Sequence, residues 1–151
     1  MSSDGKTAWV VSSSCTQKPW GQETSWNSPN SVHVKTFVLK TSMRNSLKFN
    51  QNKDELLICA AGELKAYFGD EELVSKGIGD LKVQRLFPGM ALAVQSGCPY
   101  RLEAVKDSTV LEISTGSRAT NSIVRLHDDY GRETKHISEF FDGVIEKWFL
   151  T

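Results

Sequence analysis

The sequence predicts an all-β fold, a barrel or sandwich of short strands followed by a short C-terminal α-helix. Segments rich in β-branched and apolar residues run through the middle of the chain. Turn signals such as Gly69-Asp70, Pro88-Gly89 and Gly97 separate these segments. Many short strands at such spacing are typical of a barrel or of two packed sheets.

The elements follow from composition and period. The predicted strands, in chain order, are VHVKTFVLK, SLKFN, ELLICA, ELKAYFG, LKVQRLF, MALAVQ, YRLEAV and TVLEIS. Gly62 is expected to be a turn between the third and the fourth, and EELVSKGIGD a long hairpin loop. The first 30 residues are rich in Ser, Thr, Asn and Pro, so we expect them to cross the barrel surface, with AWVV as a candidate edge strand. Apolar residues recur at helical spacing between Ile137 and Phe149, behind Ser138 as a cap, and predict the helix.

The length of the chain suits one domain. A chain of 151 residues buries about 68 to 70% of the surface of its unfolded form, so one core is sufficient. We expect an N-terminal extension over residues 1–16, a barrel over 17–132 and a helical tail over 133–151. The apolar stripe of that tail needs a partner surface, and we expect a homodimer.

Charge and cysteine usage exclude several classes of protein. The 18 basic and 18 acidic side chains give a formal net charge of zero, so neither nucleic acid nor a membrane surface is an expected partner. No apolar leader or spanning segment is apparent, which predicts a cytoplasmic protein. Cys15, Cys59 and Cys98 lack a C-x-x-C pair and suit reduced thiols.

Two stretches, residues 42–62 and 89–104, place small and polar residues at defined intervals. The first contains Ser42, Lys48, Asn50, Glu55 and Gly62, and the second contains Gly89, Gln95, Gly97, Tyr100 and Ala104. These intervals resemble those of the two metal-binding motifs of cupin barrels. The cupin motifs have histidines where this chain has Lys48, Asn50 and Tyr100.

Flanking segments extend the resemblance over roughly residues 17 to 132. KPWGQE, SLKFNQNKDELLICAAG and IVRLHDDYGR are similar to segments of the C-terminal cupin domain of type II phosphomannose isomerases. The resemblance implies a single cupin-type jelly-roll β-barrel and a sugar phosphate as the class of ligand. Where those isomerases have HHHRAE, this chain has NQNKDE, so the histidines that would hold the metal are replaced.

The replacements predict a metal-free site with no cofactor. Glu55 alone keeps an ideal donor, Asn50 offers a weak carbonyl oxygen, and Tyr100 ligates only when ionised. The Lys48 ammonium repels a cation. Because an unpaired buried carboxylate is costly, we expect Lys48, with Tyr100 donating its hydroxyl, to replace the metal as the partner of Glu55. The group is then either a polar ligand pocket or a satisfied polar plug.

Secondary candidates are Lys53, Gln95, Arg101 and Glu103. Lys53 replaces the basic residue of HHHRAE and either attracts a phosphate or is a solvated turn residue. Gln95 stands at the proline of the second motif. Arg101 and Glu103 alternate with Tyr100, so they point to the opposite face, and they suit a surface or dimer-facing ion pair better than catalysis. His127, Asp128 and Asp129 belong to IVRLHDDYGR, which is expected to be a structural closing segment.

Three functions remain open after these observations. The first is a mannose-6-phosphate isomerase-like cupin without its metal that binds a small molecule, a sugar or sugar phosphate, at Lys48, Asn50, Glu55 and Tyr100. The second is a non-catalytic scaffold or dimerisation protein. The third is a metal-free sugar isomerase or epimerase that uses polar side chains as acid and base. Metal-assisted isomerase activity is not expected, and fold alone does not choose among the three.

Overall fold

The structure is a computed structural model that describes residues 5–28, 31–116 and 122–135. Within these ranges the chain forms strands and a single short helix. In chain order they are β1 (Ser13–Lys18), β2 (Gly21–Trp26), β3 (Val32–Leu39), β4 (Leu47–Asn50), β5 (Lys53–Phe68), α1 (Glu71–Lys76), β6 (Lys82–Leu86), β7 (Ala91–Val94), β8 (Tyr100–Gly116) and β9 (Ile123–His127). The prediction of an all-β jelly-roll barrel is confirmed. The predicted helix after Ile137 lies outside the described residues.

All strand pairs are antiparallel. The order along one path is β1-β2-β3-β8-β4-β9, and β5 pairs with β6, β7 and β8. The two longest strands, β5 and β8, pair from Lys53 opposite Gly116 to Phe68 opposite Tyr100. Because β3 and β4 flank β8 while β6 and β7 flank β5, the two long strands hold both halves of the barrel together.

Gly62 is not the turn that the sequence suggested. ELLICA and ELKAYFG form one continuous strand, β5, and Gly62 lies inside it with φ +90°. The register against β8 shifts between Cys59 and Leu64, which is the behaviour of a β-bulge. The two segments remain one strand because β8 pairs with both of them.

The motif glycines have a common backbone role. Gly62, Gly89 and Gly97 adopt φ values of +90°, +93° and +86°, a region that favours glycine. Ser42, at the position of the first motif's leading glycine, has φ +67° and is the one non-glycine residue with positive φ in the described chain. The motif spacing therefore marks backbone bends that persist where the metal ligands do not.

The prediction of a loop over EELVSKGIGD is wrong at its start. Glu71–Lys76 forms α1, which follows Asp70 in an extended conformation and ends at Gly77 with φ +83°. Val74 is buried in a small cluster with Phe49 and Val124. A contact with the outside of β4 and β9 thus stabilises one helical turn that the sequence pattern alone does not predict.

The N-terminal region is more regular than expected. AWVV forms no strand, so its assignment as an edge strand is wrong. The edge strand is β1, which pairs with β2 from Ser13 opposite Trp26 to Lys18 opposite Gly21, across the domain boundary predicted at residue 16. Its alternation is weak because β1 is exposed, whereas β2 is covered on its inner face.

The main core lies between the two halves of the barrel. Its buried side chains include Trp20, Phe37, Leu57, Leu64 and Leu102. Trp20 packs edge-on against Phe37 with ring centroids 5.4 Å apart, a favoured aromatic geometry. No described helix is long and apolar enough to cross a bilayer. Trp20 and Phe37 of this core also line a cavity that contains polar side chains.

Candidate functional site

The barrel interior brings Lys48, Asn50, Glu55 and Tyr100 together. Lys48 and Asn50 are two residues apart on β4 and share its inward face. Lys48 is the register partner of Tyr100 at the start of β8. Glu55 reaches the same place from β5, where its side chain is buried. Strand alternation places Lys48 and Asn50 on one face, and the pairing of β8 with β4 and β5 brings Tyr100 and Glu55 to it.

Tyr100 and Asn50 satisfy the Glu55 carboxylate. The Tyr100 hydroxyl donates to Oε2, and Asn50 Nδ2 donates to Oε1 over 3.4 Å. Burial and the nearby carboxylates of Glu55 and Glu112 raise the pKa of Tyr100 well above its usual value. The phenol therefore stays protonated and acts as a donor.

The expected ion pair between Lys48 and Glu55 does not form in the described structure. Lys48 Nζ lies instead 5.2 Å from the centroid of the Tyr100 ring, in a cation–π position. Each oxygen of the Glu55 carboxylate already accepts one hydrogen bond, from Asn50 or from Tyr100, so the carboxylate is not left without a partner. Lys48 is therefore the cation among the four primary residues, but it is not paired with Glu55.

The donor set does not fit a divalent metal ion. A neutral phenol and an amide NH₂ both point their donors at Glu55, and an ammonium faces the same space. Divalent ions in cupin-like sites require imidazole, thiolate or carboxylate ligands. Among the described residues, no three His, Cys, Asp or Glu side chains come together.

A second charged group lies on neighbouring strands. Lys35 Nζ is 2.8 Å from Glu23 Oε1 and 3.4 Å from Glu112 Oε2, and Lys18 Nζ is 3.4 Å from Glu23 Oε2. Burial acts to lower the pKa of Lys35, but the two carboxylates outweigh it and raise that pKa. Burial raises the pKa of Glu112 against the attraction of Lys35. Lys35 thus holds two carboxylates inside the barrel.

A cavity of about 100 Å³ lies beside the Lys35 group and is lined by Lys48, but not by Asn50, Glu55 or Tyr100. Its charged lining consists of Lys18, Glu23, Lys35, Lys48, Glu112, Arg125 and Arg132. Most of these charges have partners, since Lys18 and Lys35 pair with the two glutamates and Arg132 Nη2 lies 2.7 Å from Asp128 Oδ1. Two cations of the wall have no carboxylate partner in the part of the chain that the structure describes.

Lys48 and Arg125 are these two cations. They are register partners across β4 and β9, and neither forms an ion pair with a carboxylate within the described ranges. Arg125 Nη1 donates to the Glu133 carbonyl over 3.1 Å. Its Nε is buried and has no partner among the described residues. Like charges directly opposite each other are destabilising, so we expect the two cations to repel each other.

A second cavity, of about 290 Å³, lies on the other side of the Lys35 group. It shares Glu23, Lys35 and Glu112 with the first cavity and adds His33 and Lys53. Lys53, the first residue of β5, therefore lines this cavity. Together the two cavities form a polar interior on both sides of one ion network.

The remaining secondary candidates lie away from these cavities. Gln95 is exposed, and its carbonyl accepts from the Cys98 amide over 3.1 Å in a turn. Arg101 and Glu103 do not form the expected surface ion pair, because Arg101 is buried and donates to the Asn45 carbonyl over 2.9 and 3.1 Å. Glu103 accepts from the Tyr67 hydroxyl over 3.4 Å.

The segment IVRLHDDYGR has a structural arrangement. Asp128 accepts bonds from the Arg132 side chain and from the backbone of Tyr130 and Arg132. Asp129 pairs with Arg44, and the Tyr130 hydroxyl donates to the Arg44 carbonyl over 2.8 Å. These contacts fasten β9 to the loop before β4.

The sequence analysis did not single out Glu23, Lys35, Glu112 or Arg125. For two of them, Lys35 and Glu112, the sequence pattern indicates a buried position. In VHVKTFVLK, Lys35 shares the buried face of Phe37, and Glu112 shares the face of Val110. A charged residue on a buried strand face needs a partner, but its identity depends on which strands are neighbours.

Three solved structures resemble this fold. CapF from Staphylococcus aureus, described as a capsular polysaccharide assembling protein, has a TM-score of 0.63 at 10% identity over 80% of this chain and 32% of CapF. Oxalate decarboxylase from Bacillus subtilis has a TM-score of 0.65 at 17% identity over 81% of this chain and 33% of the enzyme. KdgF from Halomonas sp. has a TM-score of 0.56 at 14% identity over 68% of this chain and 84% of KdgF. These are cupin-fold proteins.

The chain has the cupin fold. No protein-family model matches the sequence, and no curated protein matches it. Identities this low show the fold alone, and the chain spans only 32 to 33% of the CapF and oxalate decarboxylase chains. The cupin resemblance found in the motif spacing is therefore confirmed at the level of the fold.

Proposed function

We propose that the barrel interior binds a small anionic sugar, such as a sugar phosphate, without a metal ion. The observation that carries the proposal is the pair of Lys48 and Arg125, two adjacent cations with no carboxylate partner in the described chain. Both line a cavity of about 100 Å³, which is the scale of a phosphate or carboxylate group rather than of a whole sugar.

An anion would complete this pair. A phosphate or carboxylate oxygen between the two cations offsets their repulsion and accepts a charge-assisted hydrogen bond from Arg125 Nε. Arginine presents a planar fork to such groups, and lysine supplies a compact charge. The cost of a buried, unpartnered donor is then removed when the ligand binds.

The neighbouring groups suit the hydroxyls of a sugar. Glu23 and Glu112 offer carboxylate oxygens to both cavities, and carboxylates accept hydrogen bonds from hydroxyls. The larger cavity, of about 290 Å³, has room for a carbon skeleton. The similarity of IVRLHDDYGR to type II phosphomannose isomerases and the polysaccharide role given for CapF support a carbohydrate.

Thermal unfolding tests the proposal. Mannose 6-phosphate, fructose 6-phosphate, the free sugars and inorganic phosphate form the panel. At one hundred times its dissociation constant a ligand adds about 2.7 kcal/mol, or about 5 to 10 °C for a domain of this size. We expect a shift with the phosphorylated sugars that exceeds the shift with inorganic phosphate.

Variants locate the binding site. Lys48→Met and Arg125→Met should each abolish the shift, whereas Lys82→Met, which changes an exposed lysine of β6, should retain it. No shift across the panel would favour a scaffold without a ligand site. A shift that survives both Lys48→Met and Arg125→Met would contradict the proposed location.

A further inference from the structure

We infer that Lys48 is also a nucleophile, which forms an imine with a carbonyl compound that carries an acidic group. The inference rests on the proposed function and narrows its ligand class to aldehydes and ketones. Lys48 combines three features in the described structure: its side chain is partly buried, it lines a cavity, and it has no carboxylate partner.

The other amines of the cavity wall lack this combination. Lys35 is held between Glu23 and Glu112 at 2.8 and 3.4 Å, and Lys18 pairs with Glu23 at 3.4 Å. An ammonium in an ion pair keeps its proton, so its nitrogen has no free lone pair. Lys48 lies instead beside a second cation, Arg125, and over the face of Tyr100.

Arg125 supplies orientation for the reaction. Its Nε is buried and has no partner among the described residues, so it is placed to bind the acidic group of a ligand. Lys48 lies opposite Arg125 on β4, so its amine is next to that group. A ligand whose acidic group binds Arg125 therefore brings its carbonyl carbon toward Lys48. Lysine is activated as a nucleophile by desolvation or by a neighbouring cation.

The proposed step is balanced without an oxidant or reductant. The lone pair of the neutral Lys48 amine forms a bond to the carbonyl carbon, and the carbonyl electron pair moves to oxygen. The Glu112 carboxylate, which lines the same cavity, takes a proton from the nitrogen of the adduct and passes it to that oxygen. The carbinolamine then loses its hydroxyl as water, which leaves the imine.

The charge state of Lys48 supports the step. Burial lowers the pKa of Lys48 to about 8, against the opposing attraction of Glu112 and Glu55. A larger fraction of this amine is therefore neutral near pH 8 than of an ordinary lysine, whose pKa is near 10.4. Lysines whose pKa is lowered in this way are suited to Schiff-base chemistry.

Reductive trapping tests the inference on the full chain. The protein is incubated at pH 8 with dihydroxyacetone phosphate and sodium cyanoborohydride, and modified lysines are identified by peptide mass spectrometry. We expect Lys48 to be modified at least about tenfold faster than exposed Lys82, because the neutral fraction of the Lys48 amine is raised above that of an ordinary lysine. Equal rates at the two lysines would overturn the inference.

Glycerol 3-phosphate separates binding from imine formation, because it carries the phosphate but has no carbonyl. It should raise the melting temperature and protect Lys48 from modification. A stabilising shift with this compound, together with no Lys48 adduct from dihydroxyacetone phosphate, would refute the imine and leave the binding proposal intact. Neither a shift nor an adduct would contradict both.

Lys48→Arg is the matched variant. It keeps the positive charge but removes the amine nucleophile, so it should retain a shift with glycerol 3-phosphate and lose the adduct. A cooperative thermal transition shows that the variant is folded. Fast trapping that persists at another lysine of the cavity wall in this variant would refute the role of Lys48.

Discussion

The Tyr100 hydroxyl donates a hydrogen bond to the Glu55 carboxylate inside the barrel, across 45 residues of sequence. Both positions match metal-ligand positions of the cupin motifs, yet here Tyr100 donates the hydrogen bond and Glu55 accepts it. With Asn50 as the second donor, the buried carboxylate is satisfied by neutral groups. Lys48 therefore remains available to the cavity.

Removal of this donor should destabilise the fold. Tyr100→Phe keeps the packing of the ring but leaves Glu55 Oε2 without the hydroxyl, which should cost about 1 to 3 kcal/mol of the free energy of unfolding. Urea denaturation measures the change. Tyr67→Phe is the control, because the Tyr67 hydroxyl is only part-buried and lies 3.4 Å from Glu103. Equal losses of unfolding free energy in the two variants would show that the Tyr100 hydrogen bond contributes no more to stability than the Tyr67 bond.

Lys35 should contribute much more to stability than Lys18. Lys35→Met leaves Glu23 and Glu112 without their shared cation, and we expect a loss of about 2 to 4 kcal/mol because two enclosed carboxylates then repel each other. Lys18→Met removes only the outer partner of Glu23 at 3.4 Å and should cost about 1 kcal/mol or less. Chemical denaturation of both variants at pH 7 tests the ranking, which a larger loss for Lys18→Met would reverse.

Asp128 should make the protein sensitive to acid. Burial acts to raise the pKa of this carboxyl, but the bonds from Arg132 and Tyr130 lower it from 3.8 to about 2. A carboxyl whose pKa is lower in the folded state stabilises the fold at pH values above its pKa in the unfolded chain. This stability is lost as the pH falls from about 4 to about 2. The shift corresponds to about 2 kcal/mol for a side chain that is fully buried.

Asp128→Asn tests this linkage. The variant should be less stable than the natural chain at pH 7, and the difference between the two should shrink by pH 2. Urea denaturation across this range gives the two curves. Asp80→Asn, at an exposed position, should follow the natural chain throughout. A constant gap between Asp128→Asn and the natural chain at all pH values would exclude the linkage.

Ser42 offers a site for stabilisation. Its φ of +67° is unfavourable for a residue with a Cβ, by about 1 to 2 kcal/mol, while glycine adds about 0.4 to 1 kcal/mol of freedom to the unfolded chain. Ser42→Gly should therefore stabilise the fold by up to about 1 kcal/mol and keep the bond from its amide to the Ala104 carbonyl. Ser13→Gly, in β1, should destabilise. A loss of stability in Ser42→Gly would contradict this account.

The local pattern of the chain predicted most of the strand segments, although AWVV is not a strand and β5 and β8 each join two predicted segments. Alternation in VHVKTFVLK and in TVLEIS predicts one buried face for each strand, and the motif spacing places Lys48, Asn50, Glu55 and Tyr100 at one place. The buried faces are predictable because side-chain direction in a strand has a period of two residues, which short-range sequence contains in full. The meeting of the four residues was expected from the resemblance to the cupin motifs.

The partners of the buried charges were not predictable in the same way. Lys35 meets Glu23 and Glu112 only because β2, β3 and β8 are neighbours in the sheet, and Lys48 faces Arg125 only because β9 pairs with β4. Likewise α1 is a helix because Val74 finds a surface on Phe49 and Val124. The sequence by itself determined which faces are buried and where the backbone bends. Strand order, a property of the whole chain, decided which of these charges are paired and which two, Lys48 and Arg125, have no carboxylate partner among the described residues.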